Sequence, residues 1–224
     1  MIRHIPNFLT CCNLLCGCLG VVFVLEGRTM PSAYFVWICC VFDFLDGFAA
    51  RVLKVSSPIG KELDSLADMV SFGLLPSVVM YKMLATANAP SYLPYIAFVI
   101  AVFSALRLAI FNLDERQTDS FRGVPTPANA LFITSLPLLT GTVAASLNEY
   151  WVLVLITVVF SILLVSGIEL FALKFKNFSW ADNKIRFTFL LLSVLLLLVL
   201  QLAAIPVIIL LYIALSLGVR AISK

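Results

Sequence analysis

Long apolar runs, separated by short polar segments, make up most of this sequence. A helix needs about 20 mostly apolar residues to cross a bilayer. The pattern predicts eight such helices, at residues 6–25, 33–52, 61–81, 92–112, 127–146, 150–172, 186–203 and 205–222. Only a few residues separate the last two, which form either a hairpin or one kinked helix. We predict an all-α integral membrane protein, a polytopic helix bundle of about eight transmembrane helices in one domain, 1–224.

The basic residues fall mainly on one side of these predicted helices. With both termini on the same side, that side holds thirteen of the fifteen, namely Arg3, Arg51, Lys54, Lys61, Arg107, Arg116, Arg122, Lys174, Lys176, Lys184, Arg186, Arg220 and Lys224. The opposite side holds Arg28 and Lys82. Because cytoplasmic loops are enriched in Lys and Arg, we predict cytoplasmic termini and a cytoplasmic loop at 52–60. Six helices with a re-entrant last pair would have the same sidedness.

The composition agrees with a membrane location. Hydrophobic residues make up 62% of the chain and charged residues 12%, with a mean hydropathy of +1.09. A soluble domain is roughly 45–50% apolar and about 25% charged, so soluble, disordered and nucleic-acid-binding classes are excluded. The six cysteines lie in apolar segments and are interpreted as packing residues. The first apolar run has no small-residue cleavage site and is predicted to be a retained helix.

Four of the twelve acidic residues lie together at the cytoplasmic ends of the second and third predicted helices: Asp43, Asp46, Asp64 and Asp68. The members of each pair are three or four residues apart and therefore share a helix face. A short loop makes the two helices an antiparallel hairpin, so the four carboxylates converge. Oxygen ligands without His or Cys favour Mg²⁺, Mn²⁺ or Ca²⁺. Helix caps or salt bridges would explain one or two of these aspartates, not four.

Small residues and one arginine flank the carboxylates. Gly47, Ala49, Ala50 and Gly60 leave room for a bulky ligand near the backbone. Arg51 can bind a phosphate through two hydrogen bonds. This combination indicates metal-assisted phosphoryl transfer.

The stretch from Asp43 to Asp68 matches D-x-x-D-G-x-x-A-R-x8-G-x-x-x-D-x-x-x-D at every specified position. It resembles the signature of the CDP-alcohol phosphatidyltransferases. The resemblance implies transfer of a phosphatidyl-type group from a CDP-linked lipid to an alcohol, with release of CMP. It also implies that the four aspartates hold two divalent cations, Mg²⁺ or Mn²⁺, with Asp68 as general base. The implied CDP-lipid-binding residues are Gly47, Ala50, Arg51, Ser57, Gly60, Asn7, Thr10 and Asn13, of which the last three could instead make interhelical contacts.

Two further segments, 107–112 and 121–129, resemble segments of the phosphatidylserine synthases. They imply L-serine as the acceptor and CDP-diacylglycerol as the donor, with Arg107 or Arg122 binding the serine carboxylate and Asn112 or Asn129 its amine. The arginines could alternatively be topology anchors. Glycerol 3-phosphate, bound by Arg107, Arg116 and Arg122, is the second acceptor considered; inositol, inositol phosphate and choline also stay open, as does an archaeol-based lipid.

The resemblance further implies a homodimer. Because the loop at 52–60 is predicted to be cytoplasmic, we expect the active site to face the cytoplasm at the cell membrane. A cation transporter is the alternative from another class. It predicts acidic residues spread through the bilayer depth, whereas the predicted helices after residue 127 carry little acidic character beyond Glu169.

Overall fold

The structure, a computed structural model, describes residues 4–55, 57–113, 120–171 and 179–222. Its α-helices are α1 (Ile5–Leu25), α2 (Thr29–Val52), α3 (Pro58–Asp68), α4 (Leu75–Thr86), α5 (Val99–Leu113), α6 (Thr126–Ser135), α7 (Gly141–Ser146), α8 (Tyr150–Val165), α9 (Trp180–Leu200) and α10 (Ala204–Ile222). A π-helical segment, Met69–Leu74, joins α3 to α4. Short 3-10 turns, Leu93–Phe98, Leu136–Leu138 and Gln201–Ala203, precede α5, follow α6 and separate α9 from α10.

Five helical stretches of the described residues are long and apolar enough to cross a membrane: Ile5–Leu25, Ser32–Val52, Pro58–Thr86, Leu93–Leu113 and Asn183–Gly218. The prediction of a polytopic helical membrane protein is therefore confirmed. Large apolar side chains such as Leu191, Leu198 and Val199 are exposed along α9, as expected for a surface in contact with lipid. Five residues of the topology argument, Arg3, Arg116, Lys174, Lys176 and Lys224, lie outside the described residues.

The third predicted helix, 61–81, is longer than expected. It begins at Pro58 because Ser57 caps it: the Ser57 hydroxyl accepts a hydrogen bond from the Gly60 amide at 3.0 Å. Proline at the first helical position removes no bond, since that amide has no partner within a helix. The π segment continues the helix as far as Thr86.

The predicted bounds of the fifth and sixth helices, 127–146 and 150–172, were wrong. Residues 127–146 divide into α6 and α7 because Pro137 cannot donate a helical hydrogen bond and clashes with the preceding turn. Residues 150–172 end as a helix at Val165. Beyond that point Glu169–Phe171 forms strand β2, which pairs antiparallel with β1, Ser120–Arg122. Apart from this short ribbon, the described elements are helical, as the all-α prediction expects.

The last two predicted helices, 186–203 and 205–222, are separated at Gln201. Its φ of 52° lies in the left-handed region, which a side chain other than glycine adopts only at a cost. The first of the pair begins earlier than predicted, at Trp180, with a kink at Asn183.

The core consists of two apolar clusters that share α4 and α6. One includes Val24, Val36, Phe72 and Val79 and joins α1, α2, the π segment and α4. The other joins α4, α5, α6, α8, α9 and α10, with members Met80, Leu84, Ile100, Phe132, Phe160 and Tyr212. The first cluster therefore fixes the arrangement of the hairpin helices that carry the four aspartates.

Candidate active site

Three of the four aspartates form a compact cluster. Asp43 on α2 and Asp64 and Asp68 on α3 each offer a carboxylate oxygen, and these oxygens all lie within 4.8 Å of one another. Asp68 is buried, and the other two are half-buried. The four-residue spacing places Asp64 and Asp68 on one face of α3. The structure thus brings the three residues together across the hairpin.

Asp46, the fourth aspartate, does not belong to this group. Its carboxylate accepts a hydrogen bond of 2.7 Å from the Thr10 hydroxyl of α1. Both side chains are buried. A charge-assisted hydrogen bond of this kind is worth about 1.5–3 kcal/mol, so Thr10 ties α1 to α2 and fixes the orientation of Asp46.

Asn13 links α1 to Asp68, a member of the three-carboxylate cluster. Its side-chain amide donates to Asp68 Oδ1 at 3.3 Å. Its backbone carbonyl accepts from the Ser71 hydroxyl at 3.1 Å and from the Cys39 thiol at 3.5 Å. A Cβ on Gly17 would lie 3.0 Å from the Ser71 Cα atom, so glycine lets α1 approach the π segment this closely.

No basic side chain neutralises the aspartates within the described residues. An ion pair joins Arg28 to Glu26 at 3.7 Å, but it lies at the N-terminal end of α2, whereas the aspartates of this helix lie in its C-terminal half. Asp64 Oδ1 is buried and has no hydrogen-bond partner in the part of the chain that the structure describes. Carboxylates kept close together without a cationic partner repel one another. This all-oxygen donor set fits a divalent cation such as Mg²⁺ or Mn²⁺, and the salt-bridge alternative is not supported.

A cavity of about 1030 Å³ lies between α1, α2 and the start of α3. Eight of its lining residues were singled out in the sequence: Asn7, Thr10, Asp46, Gly47, Ala50, Ser57, Gly60 and Asp64. Asp64 belongs both to this lining and to the carboxylate cluster. At Gly47 a Cβ would meet no atom of the described residues within 4 Å. The cavity is therefore large enough for a bulky polar ligand and borders the cluster.

Three lining residues with basic side chains were missed as site residues: His4, Lys54 and Lys61. Lys54 has a φ of 52° and follows the end of α2. There the Val55 amide donates to the Ala50 carbonyl at 3.0 Å, as in a Schellman motif. The three-residue spacing from Lys61 to Asp64 was the signal that could have placed Lys61 at the site.

Two predicted CDP-lipid-binding residues lie apart from the others. Arg51 is exposed in the last turn of α2 and does not line the cavity. Asn13 is fully buried and contacts Asp68 instead. The structure thus places Asn13 beside the carboxylates and Arg51 at the protein surface.

The four predicted acceptor residues occupy different environments. Arg107 on α5 and Asn129 on α6 are buried. Arg107 Nε and both polar side-chain atoms of Asn129 lack hydrogen-bond partners among the described residues. The Asn112 amide donates to the Ser65 hydroxyl at 2.8 Å, and Arg122 is exposed on β1. Arg116, considered with them for a phosphate-bearing acceptor, lies outside the described residues.

The sequence model of the CDP-alcohol phosphatidyltransferases matches residues 3–163, which include the whole carboxylate cluster and every cavity-lining residue. The chain belongs to this family. The family resemblance seen in the 43–68 signature is therefore confirmed, and this phosphatidyltransferase is a membrane enzyme of phospholipid synthesis.

Several similar proteins carry the name CDP-diacylglycerol–serine O-phosphatidyltransferase. That of Bacillus subtilis (strain 168) is 35% identical over 129 residues, which cover 56% of this chain and 70% of the relative. That of Methanocaldococcus jannaschii is 30% identical over 166 residues, which cover 74% and 72%. That of Helicobacter pylori (strain J99) is 32% identical over 136 residues, which cover 60% of this chain and 57% of the relative.

Proposed function

We propose that this phosphatidyltransferase transfers the phosphatidyl group of CDP-diacylglycerol to the hydroxyl of L-serine, forming phosphatidylserine and releasing CMP. The proposal rests above all on the three-carboxylate cluster, which shares Asp64 with the cavity. The names of the relatives support serine as the acceptor. The oxygen-only site supports phosphoryl chemistry, because such sites bind diphosphates through divalent cations.

The CDP-lipid headgroup would occupy the cavity. Gly47, Ala50 and Gly60 keep the walls open, and Asn7 and Thr10 supply polar contacts. The N-terminal end of α3 and the ammonium groups of Lys54 and Lys61 favour a diphosphate there, because helix N-termini and cations both attract anions. Ser57 caps α3 and holds this helix end in place. The contact of Arg51, which lies at the surface, with a phosphate stays a prediction.

Asp43, Asp46, Asp64 and Asp68 are the residues that would hold two divalent cations, Mg²⁺ or Mn²⁺. When bound, the cations would neutralise the diphosphate and stabilise the charge of the leaving CMP. Thr10 would keep Asp46 oriented for this purpose through its 2.7 Å hydrogen bond.

Asp68 is the proposed general base. Asn13 donates to its Oδ1 atom, which leaves Oδ2 to accept the proton of the serine hydroxyl. The serine oxygen then forms a bond to the phosphorus that carries diacylglycerol. The bond from that phosphorus to the oxygen of the CMP phosphate breaks, and CMP leaves with the electron pair.

Arg107 and Asn129 are the proposed ligands of the serine carboxylate and amine. Both are buried and carry polar atoms that find no partner in residues 4–55, 57–113, 120–171 and 179–222, and buried polar atoms require a partner. Asn112 is engaged by Ser65 and Arg122 is exposed, so neither has the free, buried groups of the other two. Arg107→Ala should raise the serine KM, and Arg122→Ala, a matched arginine deletion, should change it much less.

The topology that we propose has eight membrane crossings, formed by α1, α2, α3 with α4, α5, α6 with α7, α8, α9 and α10. It places both termini and the active site on the cytoplasmic face of the cell membrane. The basic residues, thirteen against two, support this arrangement. A homodimer is proposed on the family resemblance. Labelling of single engineered cysteines at Arg28 and at Lys54 from outside spheroplasts tests the sidedness: only the first should react.

The decisive experiment is CMP release by the purified protein in mixed micelles of detergent and CDP-diacylglycerol. It uses L-serine, glycerol 3-phosphate, inositol, inositol phosphate or choline, with Mg²⁺, with Mn²⁺ and with a chelator. We expect release with serine and a cation, and phosphatidylserine as the product. Release with another alcohol alone would replace serine as the acceptor, and no release under any condition would refute the enzymatic proposal.

Asp68→Asn tests the general base. The amide cannot accept the proton, so turnover should fall at least about a hundredfold, the usual contribution of such a group. CDP-lipid binding should persist. Turnover near that of the wild type would remove Asp68 from this role.

A further inference from the structure

Lys61 contacts two parts of the molecule at once. Its side chain lines the cavity at the start of α3. Its ammonium group also donates a hydrogen bond of 2.9 Å to the backbone carbonyl of Asn112, next to the last residue of α5. Carbonyl groups at the end of a helix have no partner within the helix, and a cation is favourable there. Lys61 therefore joins the cavity to the end of α5.

Ser65 reinforces the same junction. It lies one turn after Lys61 on α3, and its hydroxyl donates to the Lys61 carbonyl at 3.3 Å. The same hydroxyl accepts from the Asn112 side-chain amide at 2.8 Å. Asn112 is thus held through both its backbone and its side chain. This Lys61–Ser65–Asn112 junction attaches the end of α5 to the segment of α3 that carries Asp64 and Asp68.

The ammonium group of Lys61 has enough donors to bond Asn112 and an anion in the cavity at the same time. It has three N–H donors, and the bond to Asn112 uses one of them. The remaining donors are available to an anion in the cavity. A diphosphate bound there would restrain the Lys61 side chain and, through it, the end of α5, the helix on which Arg107 lies.

We propose that Lys61 is a positioning residue that couples occupancy of the nucleotide cavity to acceptor binding: the diphosphate fixes Lys61, and Lys61 fixes α5. This inference rests on the proposed function for the identity of the two substrates. It predicts that the CDP-lipid and the acceptor bind with positive cooperativity, which is reciprocal by thermodynamic linkage.

Lys54 provides a matched control. It is also an exposed lysine that lines the cavity, but its side chain makes no hydrogen bond or ion pair with the described part of the chain. Lys54→Met and Lys61→Met therefore both remove one positive charge from the cavity. Only the second also removes the bond to α5.

The test measures steady-state KM values for both substrates and the Kd of CDP with and without L-serine. Lys54→Met should raise the CDP-lipid KM and leave the serine KM within about twofold. Lys61→Met should raise both KM values, each by roughly tenfold, the size expected for one charge-assisted hydrogen bond. It should also abolish the effect of serine on the CDP Kd. Lys61→Arg should restore most of the coupling.

Ser65→Ala supplies an independent check, since Ser65 does not line the cavity. It should raise the serine KM and leave the CDP Kd without serine unchanged. If Lys61→Met behaves like Lys54→Met, or if serine does not affect the CDP Kd of the wild type, the coupling is refuted. If the wild type releases no CMP with serine, the proposed function has failed instead, and the CDP Kd of the variants still reports whether Lys61 contacts the nucleotide.

Discussion

Gly47→Ala adds one methyl group, and we expect it to change stability and substrate binding in opposite directions. Gly47 lies within α2 and lines the cavity. A Cβ at this position would meet no atom within 4 Å in the described part of the protein. Replacing a glycine inside a helix by alanine stabilises the folded state by about 0.5–1 kcal/mol. Gly47→Ala should therefore raise the melting temperature in detergent by about 1–4 °C.

The same methyl group would occupy space that we assign to the CDP-lipid. Inserting a methyl group into a close-packed contact costs about 1–3 kcal/mol. The KM for CDP-diacylglycerol should accordingly rise by roughly 5- to 150-fold. A more stable protein with weaker substrate binding is the expected result.

Gly218 is the matched control, because it also lies inside a helix, α10, and a Cβ added there would meet no atom within 4 Å among the residues that the structure describes. It does not line the cavity. Gly218→Ala should give a similar gain in melting temperature with unchanged kinetics. Thermal unfolding of both variants and their CMP-release kinetics check the pair. If Gly47→Ala keeps the wild-type KM, the CDP-lipid does not approach this backbone; if it unfolds at a lower temperature, the space beside Gly47 is not open.

Two further substitutions examine other contacts. Thr10→Val replaces the hydroxyl that donates to Asp46 by a methyl group, so kcat/KM should fall by about 10- to 100-fold. Thr10→Ser keeps the donor, and its kcat/KM should stay within a few fold of the wild-type value. Equal kinetics of the two variants would show that the hydrogen bond has no role in the reaction. Gly123→Ala should lower the melting temperature and cost about 2 kcal/mol or more of the free energy of unfolding. The reason is that φ is +73° and the added Cβ would lie 3.0 Å from the Leu164 carbonyl carbon. An unchanged melting temperature would mean that the backbone at Gly123 and Leu164 moves apart at little cost.

The sequence was sufficient to predict the carboxylate cluster, because helical spacing determines which side chains share a face. Asp64 and Asp68 need only the four-residue repeat, and Asp43 needs only the short hairpin loop. Asp46 follows the same spacing rule but is drawn to Thr10 on α1. That contact depends on how α1 packs, which spacing within the hairpin does not determine.

Hydropathy was sufficient to predict a polytopic helical membrane protein but not all of the helix boundaries. An apolar window measures transfer of side chains to lipid and is insensitive to breaks in the backbone hydrogen bonding. Residues 127–146 therefore counted as one helix although Pro137 interrupts it, and the ribbon at Glu169–Phe171 was counted as helix. Lys54 and Lys61 were missed because a basic residue at the membrane surface has a sufficient explanation in topology alone.

The position of the site in the chain has a consequence for its biosynthesis. The carboxylate cluster, the cavity lining and the junction at Asn112 all lie between residues 4 and 113, whereas α8, α9 and α10 come from the last third of the chain. A chain emerges from the ribosome with its N-terminal part first, and its early units fold first. The polar hairpin can therefore meet its partners on α1 while the later helices are still being translated. The most costly segment to place in lipid thus receives its hydrogen bonds early in membrane insertion.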